Sequence, residues 1–148
     1  MKNWLLLPLL LLLVACSRTD TSTAGLQLEA HRGQWLVINY WAVWCAPCIQ
    51  EIPELNALNE LPEVTVLGVN YDGVTGEELE RQLQTLGIDF PLLETDPASQ
   101  LGVTRPVVLP TTLIIDPSGQ LQETLVGPQT LDSLAAATGQ SAGSQSRE

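Results

Sequence analysis

The sequence predicts an α/β fold in which a central mixed sheet is flanked by helices, and three observations carry that reading. Two runs, Trp35–Trp41 and Val64–Asn70, are β-branched and aromatic with almost no polar relief, as expected of strands buried on both faces of a parallel sheet. Between them apolar residues recur at three-residue spacing, which gives one apolar helical face. Further on, two apolar runs are joined by Asp116-Pro117-Ser118-Gly119, whose proline and glycine suit the tight turn of an antiparallel hairpin. A βαβ unit followed by a hairpin combines parallel and antiparallel pairing in one sheet.

The first helix is expected over Ala46–Leu61, with Ile49, Ile52, Leu55, Leu58 and Leu61 as its apolar face. Pro53 lies inside it and should kink it, because proline lacks the amide hydrogen and collides with the preceding turn. The second helix reads from Thr75 to Leu86. Its acidic first turn matches the helix dipole, Gly87 supplies the stop, and Leu79, Leu83 and Leu86 form the inner stripe. The hairpin joins Thr111–Ile115 to Leu121–Val126, and a short helix over Thr130–Ala137 closes the domain. No internal repeat is visible.

At 148 residues the chain has room for one compact domain, expected over 26–138. Residues 1–15 read as a signal peptide: Lys2 supplies the positive start, and the leucine-rich run Leu5–Val14 is too short to cross a bilayer that needs ~20 apolar residues. Leu13-Val14-Ala15-Cys16 resembles a bacterial lipobox, which would place lipid on Cys16. Each buried methylene of such an anchor contributes ~0.8 kcal/mol, and several acyl chains together hold stably. The alternative is an ordinary secreted protein with an incidental cysteine at the cleavage site. Residues 16–25 are small and polar and read as a flexible tether, and 139–148 as a disordered tail.

Six basic residues against 17 acidic ones give a net charge of −11, and Lys2 is the sole lysine. That balance argues against nucleic acid as a partner and against adhesion to an anionic leaflet through a basic patch, which leaves the lipid as the membrane contact.

The chemistry concentrates in Trp44-Cys45-Ala46-Pro47-Cys48, which follows a buried strand and opens a helix. There Cys45 sits near unpaired amide groups and the positive end of the dipole, which favours the thiolate of a nucleophile. Cys48, one turn further in, is more shielded and can attack a mixed disulfide formed by Cys45, so the pair can exchange two electrons with a partner protein. Pro47 stiffens the helix start where its missing N–H is not needed. Trp44, beside the nucleophile, reads as a surface contact for substrate, and Tyr40 and Trp41 as core. A purely structural Cys45–Cys48 disulfide would close too small a loop to stabilise much. Structural zinc needs about four ligands; Cys45, Cys48 and a lone His31, expected in solvent beside Arg32, supply too few, so neither a metal nor another cofactor is expected.

Asn39-Tyr40-Trp41-Ala42-Val43-Trp44-Cys45-Ala46-Pro47-Cys48, with Glu51 and Pro53, resembles the thioredoxin superfamily, and most of all its membrane-tethered bacterial branch, the TlpA/ResA-like proteins. The likeness covers nearly all of the expected domain, including Arg32-Gly33-Gln34, Val69-Asn70 and Leu109 to Gly119. It implies a thioredoxin fold and a thiol–disulfide oxidoreductase working through a Cys45–Cys48 redox disulfide on protein thiols and disulfides. It implies also a periplasmic location on a bacterial membrane, an inner-membrane electron donor, and a possible place in cytochrome c biogenesis. A monomer is expected. The resemblance further implies that Leu109–Pro110 is a cis peptide beside Cys45 and that the Leu109 backbone pairs with an incoming peptide; a trans proline starting a strand is the alternative.

Three departures bear on that likeness. Asn39 stands where thioredoxin has a buried aspartate, and an amide cannot accept a proton at neutral pH. Some members carry a glutamate just after the second strand, where this chain has Asp72-Gly73, so Asp72 is a candidate proton relay, with a solvated turn aspartate as the alternative. The stretch Arg105-Pro106-Val107-Val108 is longer than usual, and only Leu26-Gln27-Leu28 stands in place of an N-terminal hairpin. The reading is of a reductase, since Ala46-Pro47 lacks the histidine found between the cysteines of strong oxidases. A dithiol oxidant and a lipid-anchored binding or scaffold module are the alternatives. Ser17 leaves the choice of inner or outer membrane open.

Overall fold

The computed structural model describes residues 28–141. The expected signal peptide, the lipidation of Cys16, the tether and most of the C-terminal tail lie outside the described residues. Strands β1 (Trp35–Trp41), β2 (Val64–Asn70), β3 (Thr111–Ile115) and β4 (Leu121–Val126) alternate with helices α1 (Ala46–Asn59), α2 (Gly76–Leu86) and α3 (Leu131–Ala137). The sheet order is β2-β1-β3-β4. β1 runs parallel to β2 and antiparallel to β3, and β3 antiparallel to β4. This is a thioredoxin-like mixed sheet with flanking helices.

Alternation along β1 sorts its side chains to two cores. Val37 and Trp41 join Ile52, Leu55 and Leu58 of α1, Val66, Phe90 and Leu134, with Leu79, Leu83 and Leu86 of α2 packed at the margin. Leu36, Ile38 and Tyr40 face the other way, onto Leu67, Val69, Leu93, Leu113 and Ile115, and Leu101 and Val103 cover them from the long β3 approach. Burial on both faces is why β1 and β2 lack polar relief in the sequence. Edge strand β4 exposes Gln122, Glu123 and Thr124, which discourages pairing with another chain. On the opposite edge, the backbone of Pro91 and Leu93 bonds Gly68 at 2.9 Å on each side.

The helices differ from the sequence reading in their bounds and, for α1, in the buried face; α2 begins at Gly76, with Thr75 as its N-cap. α1 stops at Asn59, and Ile49 is 36% exposed while Glu51 is 1% exposed. A three-residue spacing falls behind the 3.6-residue turn, so a stripe drawn through 49, 52, 55 and 58 drifts around the helix and Ile49 leaves the core, while Leu61, beyond the helix, is partly buried against it. The buried face is instead Cys48, Glu51, Ile52, Leu55 and Leu58. α3 begins at Leu131 because Thr130 is its N-cap, in a reciprocal bond with Ser133. Gly87 adopts φ 66° as the C-cap of α2, a left-handed conformation that suits glycine. His31 is partly buried beside Arg32, at the end of the sheet away from Cys45.

Candidate active site

β1 delivers the chain to the site and α1 carries it away. Cys45 is the N-cap of α1, and its sulfur accepts the Cys48 amide hydrogen at 3.3 Å. A sulfur so placed lies at the positive end of the helix, with free amide hydrogens aimed at it, the environment that stabilises a thiolate. Pro47 occupies the first turn, where no intrahelical acceptor waits for an amide hydrogen. Cys45 and Cys48 are joined by a disulfide. Cys45 is 5% exposed and Cys48 1% exposed, so the outer sulfur is the one a partner reaches first.

Trp44 stands out beside it at 63% exposure, whereas Tyr40 and Trp41 are buried. Its indole nitrogen donates to both oxygens of Asp72, at 2.9 and 3.2 Å. The Tyr71 ring meets it edge-on, with centroids 6.5 Å apart. Trp44 is therefore a braced apolar lip. Asp72 is exposed, and its carboxylate is engaged by that lip.

The Leu109–Pro110 peptide is cis. β3 starts immediately after it with Thr111 opposite Tyr40, which carries Pro110 to the same end of the sheet as Cys45. The Pro110 carbonyl accepts the Gly127 amide at 2.9 Å. Leu109 packs partly buried against the cluster that contains both cysteines.

Behind Cys48 lies a residue to which the sequence reading gave no role. Glu51, one turn further along α1, points inward, where Asn39 Nδ2 donates to one carboxylate oxygen at 2.7 Å and the Gln129 amide to the other at 2.8 Å. Asn39 also donates to Thr112 Oγ1 at 3.0 Å. Burial pushes the Glu51 carboxyl above its ordinary value, against the lowering effect of the Gln129 and Asn39 hydrogen bonds. The signal was in the sequence: an acid three residues after a buried cysteine shares its helical face. Asn39 thus supplies no proton acceptor but holds one. Among the described residues no group of three or more His, Cys, Asp or Glu converges as a metal site.

The AhpC/TSA family model matches residues 14–124. The chain is 29% identical over 119 residues to the thiol-disulfide oxidoreductase ResA of Geobacillus kaustophilus, covering 78% of this chain and 68% of that protein. It is 32% identical over 105 residues to the thiol:disulfide interchange protein HelX of Rhodobacter capsulatus, covering 70% of this chain and 58% of the relative. Among solved structures, a DsbF homologue from Corynebacterium diphtheriae aligns with a TM-score of 0.66 at 26% identity, over 74% of this chain and 73% of the other.

Proposed function

The chain belongs to the AhpC/TSA family, and from that premise we propose that this thioredoxin-like thiol–disulfide oxidoreductase reduces disulfides of proteins at the periplasmic face of a bacterial envelope, tethered there by lipid on Cys16. The observation that carries the proposal is the Cys45–Cys48 disulfide across the first turn of α1, with buried Glu51 one turn behind it.

In the reduced protein, the Cys45 thiolate attacks one sulfur of a substrate disulfide. A mixed disulfide forms, and the other substrate sulfur leaves as a thiolate. Cys48 then gives its proton to the Glu51 carboxylate and its thiolate attacks the Cys45 sulfur. The second substrate thiolate is released and the Cys45–Cys48 disulfide is restored, two electrons having passed to the substrate. A membrane dithiol donor returns the pair to the reduced state. Raised basicity suits Glu51 to this transfer, because a general base works best when its pKa approaches the working pH. Trp44 and the Leu109–Pro110 segment flank the substrate, with the Leu109 backbone pairing with it. Asp72, whose carboxylate holds Trp44, serves the lip and not the proton.

Equilibrating the pure protein with glutathione or dithiothreitol buffers gives its reduction potential. A value well below about −200 mV supports a reductase, and one near about −120 mV, as in strongly oxidising disulfide donors, reverses the direction. An inert binding module shows no reversible Cys45–Cys48 couple.

A further inference from the structure

We propose that Arg105 is a positioning residue that sets both walls of the substrate groove as one unit. The inference rests on the dithiol chemistry proposed above and names a residue that governs access to it.

Arg105 opens the longer stretch that leads to Pro110, and it makes three directed contacts with elements outside that stretch. Its guanidinium carbon lies 3.8 Å from the centroid of the Tyr71 ring. Nη2 donates to the Tyr71 carbonyl at 2.6 Å, and Nε to Asp96 Oδ2 at 2.7 Å. Asp96 is fixed in turn, since its other oxygen accepts the buried Tyr40 hydroxyl at 2.8 Å and the Ala98 amide at 2.9 Å. The same Tyr71 ring meets Trp44 edge-on, and its neighbour Asp72 holds the Trp44 indole nitrogen. One wall of the groove is Trp44 and the other is the run up to Pro110, and both bear on Tyr71.

The run that forms this second wall is anchored at Leu109, which packs against the core, but its middle is not. Val107 is 87% exposed and Val108 53% exposed, so neither anchors the loop in a core. At the far end the Val108 carbonyl accepts the Thr111 hydroxyl at 2.8 Å and Pro110 is bonded to Gly127. At the near end the anchor is Arg105. An isolated surface ion pair would contribute little, but a planar group that stacks and donates along two fixed directions specifies a position, which a lysine ammonium cannot do. Two exposed valines and an exposed tryptophan, held at a set separation, suit an extended segment with apolar side chains around its disulfide, for which placement matters more than for a small disulfide that needs only the Cys45 sulfur.

The test uses Arg105→Met, Arg105→Lys, Tyr71→Phe and Tyr71→Leu in the full domain with two probes: insulin, turned over with dithiothreitol as electron source and corrected for the rate with dithiothreitol alone, and dithiobis(2-nitrobenzoate), mixed with protein that has been reduced and freed of dithiothreitol. For Arg105→Met we expect KM for insulin to rise about tenfold, as misplacement of a binding wall produces. Its kcat, the rate on the small disulfide and the Cys45–Cys48 potential stay as in the wild type. Lysine does not restore KM, Tyr71→Leu reproduces the defect, and Tyr71→Phe, which keeps the ring and the carbonyl, behaves as the wild type. Amide hydrogen exchange at 107–109 speeds up in Arg105→Met. Should Arg105→Met fail to fold, Tyr71→Leu carries the comparison. An unchanged insulin KM, an equal loss on both probes, or full recovery with lysine overturns the proposal. A wild type that reduces neither probe overturns the dithiol reading itself, and is told apart from those results by the wild-type control.

Discussion

The Asn39 amide donates to the Glu51 carboxylate at 2.7 Å across the contact between β1 and α1, with both side chains 1% exposed. An amide in the strand therefore holds in place an acid contributed by the helix. Both Glu51 oxygens receive a hydrogen bond, from Asn39 and from the Gln129 amide, and each favours the charged form. Burial opposes them and prevails, so the carboxyl titrates above its ordinary value of 4.5.

Removing that acid separates the two halves of the exchange. In Glu51→Gln the attack by Cys45 is expected to proceed, while resolution by Cys48 slows about 100-fold, the usual range for loss of a general base. Rapid quenching during a single turnover, with the trapped species resolved by mass, should show the mixed disulfide accumulating. A resolving rate equal to that of the wild type would remove Glu51 from the mechanism.

Stability should carry the same signature with a definite sign. Below pH 4.5, the ordinary value, Glu51 is protonated folded or unfolded and has no effect. As pH rises, the unfolded chain loses this proton first, and the folded chain binds more protons until its own raised pKa is passed, so stability falls across that window. Thermal midpoints measured across the interval in wild type and Glu51→Gln should show the extra decline in the wild type alone. Parallel curves would contradict the raised pKa.

Asp72→Asn distinguishes a proton relay from a brace. The asparagine oxygen still accepts from the Trp44 indole nitrogen, which now donates to Asp72 at 2.9 Å, so turnover is expected to match the wild type. A loss comparable to that of Glu51→Gln in the same single-turnover assay would return the relay role to Asp72.

Gly68→Ala should destabilise without touching the chemistry. A Cβ there would lie 3.0 Å from Phe90 Cε2, 3.0 Å from Trp41 Nε1 and 3.3 Å from Leu92 Cγ, all in packed surroundings. Overpacking of this kind costs about 1–3 kcal/mol. Denaturant titration reads it directly, and an unchanged midpoint would mean that the rings move aside freely.

The strands and the hairpin were legible in the sequence because each is a short apolar run ended by residues that cannot continue it, as Asp116 to Gly119 ends β3. The cysteine motif was equally legible, since its chemistry is local to one turn of helix. Glu51 was not assigned a role, for two physical reasons. Ile49, three residues before Ile52, drew the stripe to the wrong side of α1. The donors that make Glu51 a held acid come from 12 and 78 residues away, a distance across which periodicity carries no information. Arg105 has the same character: its partners Tyr71 and Asp96 meet it only in the folded chain.

Glu51 and Glu54 lie one turn apart on α1, and each takes a backbone amide from the entry to α3, Gln129 at 2.8 Å and Leu131 at 2.8 Å. Those amides exist only if the chain runs past the hairpin and is held there by the last helix. A truncation ending before Gln129 would remove that amide donor and, with Leu134, part of the packing that buries the acid, so it would change both the hydrogen bond that lowers the proton affinity of Glu51 and the burial that raises it. The far end of the polypeptide is in this sense a tuning element for the redox centre, and shortening it is a change in acid–base chemistry as much as a loss of a helix.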